Sequence, residues 1–165
     1  MRKVAVLAAL LALAWGQPAA KFVPCSITAE GLVDVFIEGD KIHGVVPRLF
    51  VFDRDGRMTL NTSGYTSRTM DYVLRAINTH GDAKNVRMEV LTASLRTADG
   101  QPVDAAALRG TPTVVELGAA WCHPCHVLEQ QLHRIPGITV LQVDADMRGR
   151  DAEVAAALKK RLAKQ

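Results

Sequence analysis

The stretch Pro112-Thr-Val-Val-Glu-Leu-Gly-Ala-Ala-Trp-Cys-His-Pro-Cys-His126 joins a short apolar segment to two cysteines that stand three positions apart. Thr113–Leu117 predicts a strand, Gly118–Ala120 a turn of small residues, and Cys122-His123-Pro124-Cys125 the start of a helix. Cys122 would lie at the helix N-terminus, where free N–H groups and the helix dipole favour thiolate over thiol. Because two thiols at this spacing can close and reopen a disulfide, the stretch predicts redox chemistry.

The composition of the chain bounds its class but does not identify a substrate. It has 165 residues, of which 48% are hydrophobic and 22% charged, as in an ordinary globular protein. One domain is expected at this length, with two small domains as the alternative. The formal net charge is +3, and the basic residues are scattered. This weak charge gives no reason to expect a nucleic-acid partner or binding to an anionic membrane.

The N-terminus has the pattern of an export signal. Two basic residues at positions 2 and 3 precede the apolar run Val4–Trp15, and the small residue Gly16 follows. The run is shorter than the about 20 residues that a membrane span requires. We therefore predict a signal peptide over residues 1–16, cleaved at 16/17 or 20/21, with an uncleaved anchor as the alternative. The mature protein would be periplasmic or otherwise extracytoplasmic, where disulfides persist.

The rest of the chain alternates between strand and helix patterns, which predicts the α/β class. Leu49–Phe52 is continuously apolar, which is typical of a strand buried on both faces. Val33, Val35 and Ile37, with the polar residues Asp34 and Glu38, predict a strand, and so does the alternation of Val86, Met88 and Val90 with polar residues. The full set of expected elements comprises strands at 33–37, 49–52, 58–62, 86–90, 113–117 and 138–143, and helices near 66–77, 104–109, 122–135 and 150–162.

Several motifs of the second half occur together in one family. They are Ala98-Asp99-Gly100-Gln101-Pro102-Val103, Leu108-Arg109-Gly110, Val114–Leu117, Ala120-Trp121-Cys122-His123-Pro124-Cys125 and Val140–Asp144. In this combination the sequence resembles the exported, TlpA-like branch of the thioredoxin superfamily, which carries out thiol–disulfide exchange. The resemblance implies an α/β, thioredoxin-like fold with a central mixed sheet flanked by helices.

The order of the parts differs from that family. A family domain continues, after its third helix, with a cis-proline loop, a hairpin and a last helix. Here Gly44–Gly56 resembles the loop and hairpin but stands first. We therefore predict a circularly permuted single domain, with a cis-proline half at 17–77, a linker at 78–85 and a CxxC half at 86–165. The alternatives are an exchange of halves between two chains, and two partial domains or another fold. A permuted domain requires a cis Val46–Pro47 bond packed against the cysteine pair.

The resemblance also assigns catalytic roles. Cys122 would be the exposed nucleophile, and Cys125 the more buried thiol that resolves the mixed disulfide. Glu116 stands where thioredoxins carry a buried acid, and it would accept the Cys125 proton through water. The alternatives are a structural disulfide and a solvent-exposed Glu116. A three-residue loop gains little from crosslinking, which disfavours a structural role.

Five further residues are candidates for binding the substrate. Trp121 would offer an apolar face, His123 would stabilise the nucleophilic thiolate, and Pro124 suits the first helical turn. The Val46 backbone, presented by a cis Pro47, would pair with an extended peptide. Each also has a purely structural interpretation: packing for the tryptophan, an exposed histidine, and an ordinary trans proline.

We therefore expect an exported thiol–disulfide oxidoreductase that reduces protein disulfides, with the Cys122–Cys125 pair as its redox centre and no cofactor. Its partners would be protein thiols and disulfides and an electron donor that is exported or membrane-bound; the chain would be a monomer or a half-swapped dimer. One alternative is a metal-binding or chaperone module that holds copper through both cysteines and a histidine. A zinc site is less favoured, because no second pair of ligands is spaced for it in the sequence. A c-type haem protein is a further alternative, because Cys122–His126 also fits the C-x-x-C-H signature for haem attachment. Cys25 is expected to be a free, buried thiol.

Overall fold

The computed structural model describes residues 18–38, 41–42, 45–82 and 84–164. The predicted signal peptide at 1–16 and its cleavage site at 16/17 lie outside these ranges. The alternative site at 20/21 lies just before the first strand, and the Pro18 carbonyl there accepts the Gly137 N–H at 2.7 Å. Within the described ranges, no helix has the length and hydropathy needed to cross a membrane.

The elements occur in the following order and bounds. The strands are β1 (Lys21–Ile27), β2 (Ile37–Glu38), β3 (Lys41–Ile42), β4 (Arg48–Phe52), β5 (Met58–Ser63), β6 (Leu95–Thr97), β7 (Thr113–Gly118) and β8 (Thr139–Asp144). The helices are α1 (Ala29–Phe36), α2 (Thr69–Ile77), α3 (Met88–Thr92), α4 (His123–Leu132) and α5 (Asp151–Leu162). The helix expected at 104–109 is a short 3₁₀ turn, Ala106–Leu108.

Six strands form one mixed sheet in the order β5–β4–β7–β8–β1–β6. Its centre is parallel, since β8 runs parallel to both β7 and β1. The outer strands β4, β5 and β6 are antiparallel to their neighbours. The predicted α/β class and central mixed sheet are confirmed. Because β4 pairs with β7 and β1 with β8, strands from both ends of one chain share this sheet.

Apolar side chains cover both faces of the sheet. Leu49 and Val51 of β4 pack in one cluster with residues of α2 and α4. Phe50 and Phe52 point to the other face and pack in a cluster with residues of α1 and α3. The prediction that this strand is buried on both faces is confirmed, because its four apolar residues are all buried. Helix α5 lies against α1.

The strand predicted at 33–37 is wrong, because residues 29–36 form helix α1. Thr28 caps this helix by accepting the Gly31 N–H at 3.2 Å. Leu32 and Phe36 lie one turn apart and are buried, which is a helical period rather than a strand period. Strand β1, which precedes the helix, was not predicted.

The strand predicted at 86–90 is also wrong, since residues 88–92 form helix α3. Met88 and Thr92 stand four residues apart on its buried side, and Val90 is 68% exposed. The alternating apolar residues are therefore not all core residues, because some of them are exposed to solvent. A segment this short does not distinguish a strand from a helix by its pattern.

The expected hairpin and linker contact each other. Gly56 has a φ of 73°, as a turn of this kind requires. The buried carboxylate of Asp53 in this hairpin accepts the Gly81 N–H at 2.7 Å. Asn85 donates its side-chain amide to the carbonyl of Met58 at 2.8 Å. The described part of the 78–85 linker is therefore tied to the β4–β5 hairpin by hydrogen bonds.

Candidate functional site

The two cysteines lie at the N-terminus of α4. Cys122 is the N-cap residue, and Cys125 lies in the first turn. Their sulfurs form a disulfide of 2.03 Å. The Cys122 sulfur accepts the backbone N–H of Cys125 at 3.2 Å. In the reduced protein this N–H and the helix dipole would stabilise a Cys122 thiolate. The predicted helix start is confirmed, with His123 and Pro124 exposed at its first two positions.

The expected difference in exposure between the cysteines is wrong for this disulfide form. Cys122 is 3% exposed and Cys125 is 5% exposed. Both pack in a small apolar cluster with Ala119 and Val46, and these two residues shield the disulfide from solvent. If Cys122 acts as a nucleophile, the side chains that pack on it would have to move, or its sulfur would have to turn outward after reduction.

The loop before β4 completes the site from the other part of the chain. The Val46–Pro47 peptide bond is cis, as predicted. Val46 packs against the cysteine cluster, and the carbonyl of the buried Pro47 accepts the Gly64 N–H at 2.8 Å. The sheet explains the proximity, because Arg48 at the start of β4 pairs with Leu117 near the end of β7. The pairing of β4 with β7 therefore places the loop beside the cysteines.

A groove lies along the Val46 loop, and Val46 itself packs between this groove and the cysteine cluster. Trp121 is 55% exposed at its side, and the Arg148 guanidinium lies 5.5 Å from the centre of the indole ring. The Arg148 guanidinium donates a hydrogen bond from Nη2 to Oδ2 of Asp146 at 2.5 Å. This hydrogen bond holds the pKa of the Asp146 carboxyl well below its usual range. The groove has a volume of about 380 Å³. Its lining residues are mostly apolar: Phe36, Val45, Val46, Trp121, Ala145, Asp146, Met147 and Arg148.

Glu116 is buried within the sheet, on strand β7. It is 2% exposed and stands between Leu49 of β4 and Gln142 of β8 in the strand register. Within the described part of the chain its Oε2 atom has no hydrogen-bond partner. Burial, with a smaller contribution from the charge of Glu129, raises the pKa of Glu116 to about 7. The alternative of a solvent-exposed Glu116 is therefore wrong.

A cavity of about 260 Å³ connects Glu116 with the second cysteine. Gly118 lies between them: a Cβ atom at this position would stand 3.3 Å from the sulfur of Cys125 and 3.8 Å from Oε1 of Glu116. The missing side chain keeps the space between acid and sulfur open. Since a cavity of this size has room for several waters, a water-mediated proton path from Cys125 to Glu116 is sterically possible.

The buried acid predicts a pH-dependent stability. Its pKa is about 7 in the folded protein, against the ordinary glutamate pKa of 4.5, so between these two values the folded state binds a proton that the unfolded chain releases. Stability is therefore highest below pH 4.5 and falls as the pH rises to about 7, by on the order of 3 kcal/mol. Glu116→Gln should remove this decrease. The decrease is measured as the difference in the free energy of unfolding by urea between pH 4.5 and pH 8, in the oxidised wild-type protein and in oxidised Glu116→Gln. An equal decrease in the two proteins would contradict the burial of an ionisable Glu116.

Two charged residues near the site were not predicted. Glu129 follows Cys125 by four positions, so both lie on one face of α4, and this spacing was the available signal. Arg148 carried no signal, because its position over Trp121 depends on how the segment after β8 is folded. Glu129 lines the cavity that also contains Glu116 and Cys125, and Arg148 lines the groove beside the Val46 loop.

The remaining candidates are less distinctive. Cys25 is free and buried, as predicted, and burial raises the pKa of its thiol. It belongs to the apolar cluster that includes Leu117 and Val143. His126 is exposed, and its Nε2 lies 3.1 Å from the Ala120 carbonyl. Within the described ranges, no three His, Cys, Asp or Glu side chains are grouped so that they could hold a metal ion.

The structure brings Cys122, Cys125, Glu116 and the Val46–Pro47 loop together at one end of the central strands. Trp121 lies beside them with a wide exposed face. The exposed positions of His123 and Pro124 distinguish neither of them from ordinary helix-start residues. Comparisons with protein-family models, curated proteins and solved structures found no match to this chain.

Proposed function

We propose that this protein is an exported thiol–disulfide oxidoreductase with a thioredoxin-like fold in permuted order, and that it reduces protein disulfides. One observation carries the proposal: a disulfide at a helix N-terminus lies between a cis-proline loop and a buried acid. Support for the permuted fold comes from the sheet, where the cis-proline strand β4 precedes the CxxC strand β7 in the chain yet pairs with it.

The first step uses the reduced form, with two thiols. The Cys122 thiolate attacks one sulfur of a substrate disulfide. A bond forms between Cys122 and that sulfur, the substrate S–S bond breaks, and the other substrate sulfur leaves as a thiolate that takes a proton from water. The N–H of Cys125 and the N-terminus of α4 favour the attacking thiolate.

The second step resolves the mixed disulfide. The Cys125 thiol transfers its proton through water in the cavity to the carboxylate of Glu116, and the resulting thiolate attacks the Cys122 sulfur. The Cys122–Cys125 disulfide forms and the second substrate sulfur leaves as a thiolate. An acid with a pKa of about 7 suits this transfer, because it exists in both protonation states near neutral pH.

The cycle closes with two electrons from an external dithiol. A dithiol protein, exported or membrane-bound, reduces the Cys122–Cys125 disulfide and is itself oxidised to a disulfide. No other redox group is required. We propose the monomer as the working form, and the pairing of β4 with β7 of the same chain supports it.

The groove beside the cysteines is the proposed site for an extended substrate peptide. Trp121, Val45 and Met147 offer it apolar surface. In the described ranges, neither backbone polar group of Val46 makes a backbone hydrogen bond. The N–H and C=O groups of Val46 are thus the ones that would pair with the backbone of the substrate.

The test is catalysed reduction of insulin disulfides by dithiothreitol. We expect the folded wild-type protein to accelerate the reaction, and the potential of the Cys122–Cys125 pair to lie nearer about −270 mV than about −120 mV. Lack of acceleration by folded protein would contradict the activity. A potential near the oxidising value would contradict the reductive direction. A Soret band in the purified protein would establish haem instead.

A further inference from the structure

The cavity behind Cys125 contains more titratable groups than the proposed reaction uses. Beyond Glu116 and Cys125 it is lined by His126 and Glu129 of α4, Asp144 at the end of β8, and Cys25 of β1. Of the residues described as lining it, none is a lysine or arginine. The buried acid therefore faces further acidic groups and no permanent positive charge.

Glu129 is the acid whose charge bears most directly on Glu116. Its negative charge contributes to the raised pKa of Glu116. It is partly buried, with a side chain that is 30% exposed. Its position on the face of α4 that carries Cys125 places it between the cavity and solvent.

Two histidines border the Glu129 carboxylate from either side. The Nδ1 atom of His126 lies 3.9 Å from one oxygen, and the Nε2 atom of His133 lies 3.9 Å from the other. His133 is held in place by stacking on Phe22, with ring centres 3.7 Å apart. Both imidazoles are half exposed to solvent.

We propose that Glu129 is a positioning residue that acts through Glu116: with His126 and His133 it sets the proton occupancy of the buried acid. The inference rests on the proposed function, because the protonation state of Glu116 matters for the step in which Cys125 resolves the mixed disulfide. Two carboxylates that share a low-dielectric cavity repel each other, so Glu116 keeps its proton to higher pH. Protonated imidazoles beside Glu129 offset its charge and weaken this effect.

The other groups that face Glu116 do not replace Glu129. Asp144 has the same sign of charge, but it is exposed to solvent at the end of β8, where water screens it. Cys25 is a neutral thiol whose pKa is raised by burial. Glu129 is thus the partly buried acid that lines the cavity and also lies beside the imidazoles of His126 and His133.

The test follows the Glu116 carboxyl by ¹³C NMR as a function of pH, in the oxidised protein. Glu129→Gln should lower the midpoint of the titration by about one pH unit, while Glu129→Asp should keep it near the wild-type value. Glu153→Gln is the matched control, since it removes one negative charge from α5 and should leave the midpoint unchanged. An unchanged midpoint in Glu129→Gln, or an equal shift in Glu153→Gln, would overturn the proposal.

The kinetic consequence is measured separately. In Glu129→Gln, the pH profile of mixed-disulfide resolution should move to lower pH by the same amount as the NMR midpoint, and a profile that does not move would overturn the proposal. Because the NMR titration needs no turnover, it distinguishes the two failures. An inactive wild-type protein would refute the proposed function, whereas an unshifted midpoint would refute the role of Glu129.

Discussion

Cys122→Ser should lower the rate of disulfide reduction by about 10³-fold or more, because a serine hydroxyl cannot form the mixed disulfide that both steps require. The substitution is nearly isosteric and lies at an N-cap position where serine is a preferred residue. The variant should therefore stay folded. Turnover of insulin disulfides with dithiothreitol as reductant measures the loss.

Two matched variants separate chemistry from structure in this experiment. Cys125→Ser keeps the nucleophile, so it should complete the first attack and then accumulate a mixed disulfide with the substrate, visible as an added mass. Cys25→Ser removes a buried thiol that lines the cavity but takes part in neither proposed step, and this variant should keep the wild-type rate. Trapping by Cys122→Ser instead of Cys125→Ser would reverse the assigned roles, and equal activity in all three variants would refute the redox pair.

Glu116→Gln should slow resolution of the mixed disulfide by about 10²-fold at pH 8, since an amide cannot accept the proton of Cys125. The effect depends on pH in a defined direction. Wild-type Glu116 is mostly ionised above its pKa of about 7 and mostly protonated below it. The difference between the two proteins should therefore be largest above pH 7 and should shrink as the pH falls through that value.

Rapid-quench mass spectrometry of a preformed mixed disulfide measures this step directly. Glu116→Asp keeps a carboxylate in the same strand register and should recover part of the rate. The initial attack by Cys122 on the substrate should be unchanged in Glu116→Gln, because the acid lies on the side of Cys125. A constant ratio of wild-type to variant rates from pH 5 to pH 9 would rule out proton transfer to Glu116.

Local signals were sufficient for the core of the site. The apolar run before Gly118, the proline within Cys122–Cys125 and the periodicity after it predicted the strand, the turn and the helix that the structure contains. The resemblance added that Glu116, the acid within this apolar strand, would be buried, and its burial is observed. Each of these features depends on neighbours within about ten residues, so the sequence expresses them directly.

Longer-range features needed the resemblance or remained hidden. The cis Val46–Pro47 bond was expected only because Gly44–Gly56 resembles a known loop and hairpin. The placement of β1 between β8 and β6 was not predicted at all. The segment 33–37 was assigned to the wrong element, because a few alternating apolar residues do not exclude a helix; Thr28 caps this helix, and its buried residues Leu32 and Phe36 lie one turn apart.

The sequence by itself determined the chemistry that is available: two thiols at a helix start, an acid six positions earlier, and a glycine between them. The tertiary structure decided how these groups are used. Pairing of β4 with β7 brings Val46 over the disulfide, and the cavity places Glu129 near the buried acid. Burial and the pKa of Glu116 depend on all the surrounding chain segments at once, because desolvation and charge repulsion act through space. No reading of one segment could supply them.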